Sequence, residues 1–315
     1  MANTPDSASG RQAGGNGSFP SVSDFVVIDR VNQCPKLASL RSINQTLSSL
    51  LNSDDSFVAQ IAEVIRLDPS LTARVLDLVN SIFFGSNENR ISSVEEAALF
   101  LGLSRISELI IATPIIEEIQ AFGKQAEIVD WTEFWRHSIG SAIMTREILA
   151  IADVQWEDEG DYISGLVHNL GKIITSVTFP EQFGQICKVS GEQPEDICKQ
   201  ERDILGWDHA KMGAFYLWNH HIAPEIVQAT QYHNMPEEAP DHPKLAAAVQ
   251  LADRLVCFSG IRGIEQVKPT RRSAWPKLAG WSILFGEDEI TSDEERLDEL
   301  DETLERVTST LKGIV

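Results

Sequence analysis

The feature that most constrains this chain is a recurring one: helix-start chemistry ahead of apolar stripes at helical spacing, with almost no strand-type alternation between them. Asp68-Pro69 sets an aspartate at an N-cap and a proline at the first helical position, where the missing N–H is not needed. Leu71, Val75, Leu78, Val79 and Ile82 then form a buried stripe, and Gly85 marks the exit. Ser93-Val94-Glu95-Glu96 reads as a capping box before Ala97 to Leu101, Gly102 as a stop, and Ser104 as the cap of a helix reaching Pro114. Asp130-Trp131-Thr132-Glu133 is again box-like and opens a helix of about five turns carrying Phe134, Trp135, His137, Ile139, Ile143 and Ile148. Further helices are expected over Tyr162 to Asn169, Pro194 to Leu205, His209 to Trp218, Pro224 to His233 and Lys244 to Cys257. Upstream, Leu47, Leu50 and Leu51 make one stripe. Phe57, Val58, Ile61, Val64 and Ile65 make another, with Asp54 or Asp55 as its cap. The expected class is all-α.

A chain of 315 residues, 43% hydrophobic and 23% charged, can bury a large core as two lobes or as one domain with extensions. Residues 1–20, rich in Gly, Ser, Asn and Gln, read as a disordered lead. Residues 21–125 read as an N-terminal helical lobe, 126–260 as a second helical lobe, and 261–315 as a C-terminal helical extension. Within that extension 261–289 is hard to read, whereas Leu297, Leu300, Leu304, Val307, Leu311 and Ile314 form one apolar seam. The seam is short for a free-standing coiled coil, so packing on the body is favoured over a homodimer contact.

No apolar stretch approaches a membrane span; the run from Leu109 to Ile116 is interrupted by Pro114. The opening residues lack the apolar core of a signal peptide, and Cys34, Cys187, Cys198 and Cys257 show no Cys-x-x-Cys spacing. Reduced core thiols and a cytoplasmic location are expected. A net charge of -21 disfavours duplex nucleic acid and anionic lipid as partners. Much of it sits in Glu287 to Glu305, where only Arg296 opposes the acids, which reads as a solvated helix face. Phosphate-cradling glycine loops, a Gly-x-Ser-x-Gly elbow and zinc-ribbon spacing are absent from the sequence.

Four linked segments carry a family resemblance. They are Asp68-Pro69-Ser70-Leu71-Thr72-Ala73-Arg74-Val75-Leu76, Asn80-Ser81-Ile82-Phe83-Phe84-Gly85, Ile91-Ser92-Ser93-Val94-Glu95-Glu96-Ala97 and Leu101-Gly102-Leu103-Ser104-Arg105. With Trp135-Arg136-His137, His168-Asn169-Leu170-Gly171-Lys172 and the His209-to-His233 region, they closely resemble the HDOD domain, the HD-related output domain, over about residues 25 to 260. The resemblance implies an HD-like helical bundle, placement in bacterial signalling proteins, and usually no enzymatic activity.

In the related HD phosphohydrolases, a histidine, a His-Asp pair and a distant aspartate hold divalent metal, and some relatives add histidines for a second ion. Matching by motif places His137, His168, Asn169 and Asp253 in the basic quartet, His209 and His233 in the additional positions, and Lys172 near a substrate phosphate. Asn169 stands where those enzymes have aspartate. A carboxamide supplies neither negative charge nor a second bridging oxygen, so metal affinity and water activation both suffer. Asn234 departs similarly, since many relatives have a second histidine there.

Each residue also has a plain structural reading. His137 could donate to a backbone carbonyl in the core, Asn169 could cap a helix end, Asp253 could pair with Arg254 or a histidine, and Lys172 could sit at a helix C-terminus. His209 could be ordinary first-turn chemistry. The His220-His221 pair is assigned no role, and Asn80-Ser81 is expected to fix a helix exit.

The leading expectation is a non-catalytic, degenerate signalling output or adaptor protein acting through protein contacts, with unidentified signalling proteins as partners and no cofactor. The alternative is a phosphohydrolase or cyclic-nucleotide phosphodiesterase holding Mn, Fe, Mg or Ni at His137, His168 and Asp253. A third reading makes the fold a platform whose last helix mediates self-association.

Overall fold

The computed structural model describes residues 22–34, 41–53, 57–80, 90–111, 130–156, 159–188, 194–264, 268–286 and 291–311. Among these every regular element is a helix, so the protein is all-α. The expected disordered lead, the cap at Asp54 or Asp55, Ile82, Gly85, Pro114 and Ile314 lie outside the described residues.

The first helices are α1 (Asp24–Asn32), α2 (Arg41–Leu51), α3 (Val58–Ile65), α4 (Pro69–Val79) and α5 (Val94–Ile111). At the start of α4 the Asp68 carboxylate accepts the Ser70 and Leu71 N–H groups at 2.8 and 3.0 Å, with Pro69 at the first position as the sequence requires. Asn80 follows its end and clamps the returning chain. Its Oδ1 accepts Ile91 N–H at 2.8 Å and its Nδ2 donates to Ile91 O at 3.0 Å. Ser93 Oγ accepts Glu96 N–H at 3.2 Å ahead of α5, and Gly102, at φ 72, kinks that helix where a stop was expected.

The second lobe comprises α6 (Trp131–Ile151), α7 (Gly160–Val167), α8 (Leu170–Thr178), α9 (Pro180–Ile186), α10 (Pro194–Leu205), α11 (His209–Asn219), α12 (Pro224–Tyr232) and α13 (Pro243–Phe258). Asp130 caps α6 by accepting Glu133 N–H at 3.1 Å. That helix is buried around most of its circumference because α7, α13 and the last helix cover it from different sides. A 3-10 turn (Arg272–Lys277), α14 (Ala279–Phe285) and α15 (Asp293–Leu311) complete the chain's described part.

Two segments pack across the boundaries read from sequence. α1 lies on α8 and α11 of the second lobe, because Val27 and Val31, four apart, need an apolar cover. Trp207 Nε1 donates to Asp24 at 2.8 Å and Arg30 to Thr178 O at 3.1 Å. α15 buries Leu297, Leu300, Leu304, Val307 and Leu311 and packs on α6, so the seam is used within the protomer. Its acids are opposed by more than Arg296: Arg272 pairs with Glu294 at 3.0 Å and with Asp298 and Asp301. That partner was hidden by separation in sequence.

Glu159 ties the lobes together by pairing with Arg66 while accepting Val94 N–H at 2.9 Å. Around the site the decisive contact is between backbones. A Cβ added to Gly171 on α8 would meet His209 O at 1.9 Å, and one added to Gly213 on α11 would meet Gly171 N at 3.0 Å. The two helices touch without side chains between them. Gly171→Ala is therefore expected to destabilise the fold by about 1–3 kcal/mol or more, and Gly213→Ala by less. Urea denaturation of both variants checks this ordering; equal, small effects would contradict the close crossing.

Candidate functional site

Five elements converge on one buried cluster. α6 supplies His137, the turn between α7 and α8 supplies His168 and Asn169, α11 opens with His209, α12 exits at His233, and α13 carries Asp253. The rings of His137, His168, His233 and His209 stand in a row with centroid separations of 5.6, 5.1 and 5.4 Å. All six residues and Lys172 are between 0 and 5% exposed, which makes the cluster an interior network and not an open groove.

The hydrogen bonds assign most of the ring protons. His137 Nδ1 faces Ile261 O at 3.0 Å and Nε2 faces Asp253 Oδ1 at 3.0 Å, so both nitrogens donate and the ring is an imidazolium. Burial opposes that charge, but the Cys257 sulfur and the Asp253 carboxylate outweigh it and hold the pKa well above the ordinary histidine value. Asp253 is itself shared. Burial would raise its pKa, yet donation from His137, the nearby His168 ring and the charge of Arg254 bring it well below the usual carboxylate range. Arg254 lies 3.3 Å from its second oxygen.

His168 and His233 are arranged alike. Nδ1–H of His168 donates to Gly165 O at 2.7 Å, leaving Nε2 as acceptor, and that lone pair takes an N–H of Asn169 at 2.7 Å. Nδ1–H of His233 donates to Thr230 O at 2.7 Å, and its Nε2 takes an N–H of Asn234 at 2.9 Å. Both departures from the phosphohydrolase pattern thus perform one job: an amide proton fills the lone pair that would face a metal. Burial pushes the His168 pKa down, and burial with His168 and His209 alongside pushes that of His233 well down.

The plain readings divide. His137 does donate to a backbone carbonyl, and Asp253 pairs with both Arg254 and a histidine. Asn169 stands at the N-cap of α8 but makes no side-chain cap, because its amide is turned to His168. Lys172 is buried in the first turn of α8, not at a C-terminus. His220 and His221 lie apart from the cluster, 3.1 and 3.7 Å from Asp77.

Several participants escaped sequence reasoning. Cys257 stands with His137 and Asp253, their donor atoms within 4.8 Å of one another, and its spacing of four from Asp253 was the available signal. Glu201, which accepts His209 Nδ1–H at 2.6 Å, gave none.

The donors present do not fit the divalent centre of an HD phosphohydrolase. His137 has no lone pair to give, the His168 lone pair is filled, and Asp253 already balances two cations. Asn169 Oδ1, buried and without a hydrogen-bond partner, brings a dipole where a bridging carboxylate is required.

The HDOD domain model matches residues 37–236, and the chain belongs to that family. The match stops short of α13, so Asp253, Arg254 and Cys257 lie beyond it. An uncharacterized protein of Treponema pallidum is 25% identical over 239 residues, 74% of this chain; the match spans 44% of that relative's length. Among solved structures, the MmoQ response regulator of Methylococcus capsulatus shares 21% identity at a TM-score of 0.62, over 84% of this chain and 98% of that one. An HDOD domain protein of Geobacter sulfurreducens shares 22% at 0.54, over 92% and 97%. A virulence factor of Campylobacter jejuni shares 18% at 0.63, over 90% and 96%. These likenesses establish the helical fold.

The protonation pattern sets the response to acid. His168 and His233 stay neutral in the fold, while unfolded histidines take up protons below about pH 6.5. The unfolded state then binds more protons, so stability falls as pH drops below that value. His137 acts oppositely: its contribution is complete below about pH 6.5 and is lost as pH rises through its raised folded pKa. Urea midpoints between about pH 5 and 7 are expected to fall less steeply on the acid side for His233→Gln than for the parent. An unchanged slope would mean that His233 is already protonated in the fold.

Proposed function

We propose that this chain is a non-catalytic HDOD signalling protein of a bacterium, working through protein contacts at its surface, with the buried histidine-asparagine network serving stability and not turnover. One observation carries the reading. Asp253, the only carboxylate left in the quartet, is engaged by the His137 imidazolium and by Arg254, so a dication would have to displace charges already in place. Family membership supports a signalling context, and the fold resembles that of a response regulator.

A second reading keeps some support because His137 and His168 still converge on Asp253, at 3.0 and 3.6 Å. Under it the chain would be a metal-dependent phosphohydrolase or cyclic-nucleotide phosphodiesterase. Assays of the purified chain with phosphomonoesters and cyclic dinucleotides, in the presence of Mn or Fe, separate the two. We expect rates no higher than those of His168→Ala; turnover that this substitution abolishes would overturn the adaptor reading.

Asn169→Asp removes the amide proton and restores a charge. It is expected to raise Mn affinity roughly 10-fold or more, the scale on which ligand-sphere changes act. Titration calorimetry reads this directly, and an unchanged affinity would refute the matching of Asn169 to the aspartate position.

A further inference from the structure

Beyond the far end of the histidine row lies a second set of donors. Cys198 and Glu201, three apart on one face of α10, meet His209 at the start of α11, with donor atoms all within 4.8 Å of one another. They are 3, 4 and 2% exposed. Glu201 Oε2 accepts both the backbone N–H of His209, at 2.9 Å, and its Nδ1–H, at 2.6 Å. His209 Nε2 is buried with no hydrogen-bond partner, unlike the other nitrogens of the row. Asn234 Nδ2 donates to Cys198 Sγ at 3.4 Å, which favours the thiolate.

We propose that Cys198, Glu201 and His209 bind a zinc ion. A thiolate and a carboxylate together offset the charge of the dication, so ion and ligands can be buried without a large net charge. Sulfur selects zinc over magnesium or manganese, and three protein ligands with a fourth open position are a regular zinc arrangement. Binding releases the thiol proton, the His209 Nδ1 proton passes to the unpartnered Nε2 of the same neutral ring, and the short His209–Glu201 hydrogen bond gives way to two bonds to the metal. The site uses none of His137, His168 and Asp253, so it stands or falls separately from the proposed function. Its contrast with Asp253 is one of charge: there Arg254 already occupies the place of the cation.

The test is equilibrium dialysis of the full chain against zinc, then metal analysis, with a parallel cobalt(II) titration read by absorption. We expect one equivalent of zinc per chain and a sulfur-to-cobalt charge-transfer band. Cys198→Ser should lose the band and weaken zinc binding by on the order of 100-fold or more, while His220→Gln, apart from the cluster beside Asp77, should leave both unchanged. Should Cys198→Ser fail to fold by circular dichroism, Glu201→Gln supplies the same comparison, and the band in the parent chain reports sulfur ligation without any variant. No retained zinc, no charge-transfer band, or loss of binding in His220→Gln alone would each overturn the proposal.

Discussion

A buried carboxylate has to be matched by positive charge where it stands, and Asp253 imposes that condition on the second lobe. It draws His137 from α6 and Arg254 from its own helix, with His168 from the α7–α8 turn within 3.6 Å. The network does not end there. Arg254 also donates to Asn234 Oδ1 at 3.3 Å, Gln250 donates to Asn234 O at 3.0 Å, and Gln250 Oε1 accepts Gly280 N–H at 2.8 Å. Removing one partner from such an ensemble costs about 3–5 kcal/mol, because the other charge is left unmatched. The same interactions that order the lobe engage the donor atoms of His137, His168 and Asp253.

The two asparagines show how small a chemical change alters the character of a site. An aspartate at 169 could only accept, and would leave the His168 lone pair looking outward. Asparagine brings a donor to the same position, and the imidazole becomes an internal acceptor. Asn234, where many relatives have a histidine, makes the same amide contact beside His233. A carboxylate-bearing centre gathers protons and cations, whereas an amide-bearing one satisfies itself.

Helix placement was legible because its determinants are local. Asp68, Ser93 and Asp130 cap helices where their side chains predict, and the leucine seam of α15 is buried as its spacing requires. The convergence of His137, His168, His209, His233 and Asp253 was available only from family resemblance, since these residues belong to five separate elements. What the side chains do there was less accessible. Whether Asn169 caps a helix or serves His168 depends on which way an amide turns, and that is decided by Gly165 O claiming the other ring nitrogen. Glu201 and Arg272 could not be paired from sequence, because the partners of a charge depend on tertiary approach and not on spacing. The placement of α1 against α8 and α11 was hidden for the same reason.

The backbone contact at Gly171 and Gly213 bears on how such a cluster can change over time. With no side chain acting as spacer, the two helices cannot drift when a nearby residue is replaced, and His168 and His209 keep their stations. A lineage could therefore exchange carboxylate for amide, or imidazole for thiol, one position at a time while the frame stays still. The frame that stations the cluster is thus set by a backbone contact and not by the chemistry of the residues it carries.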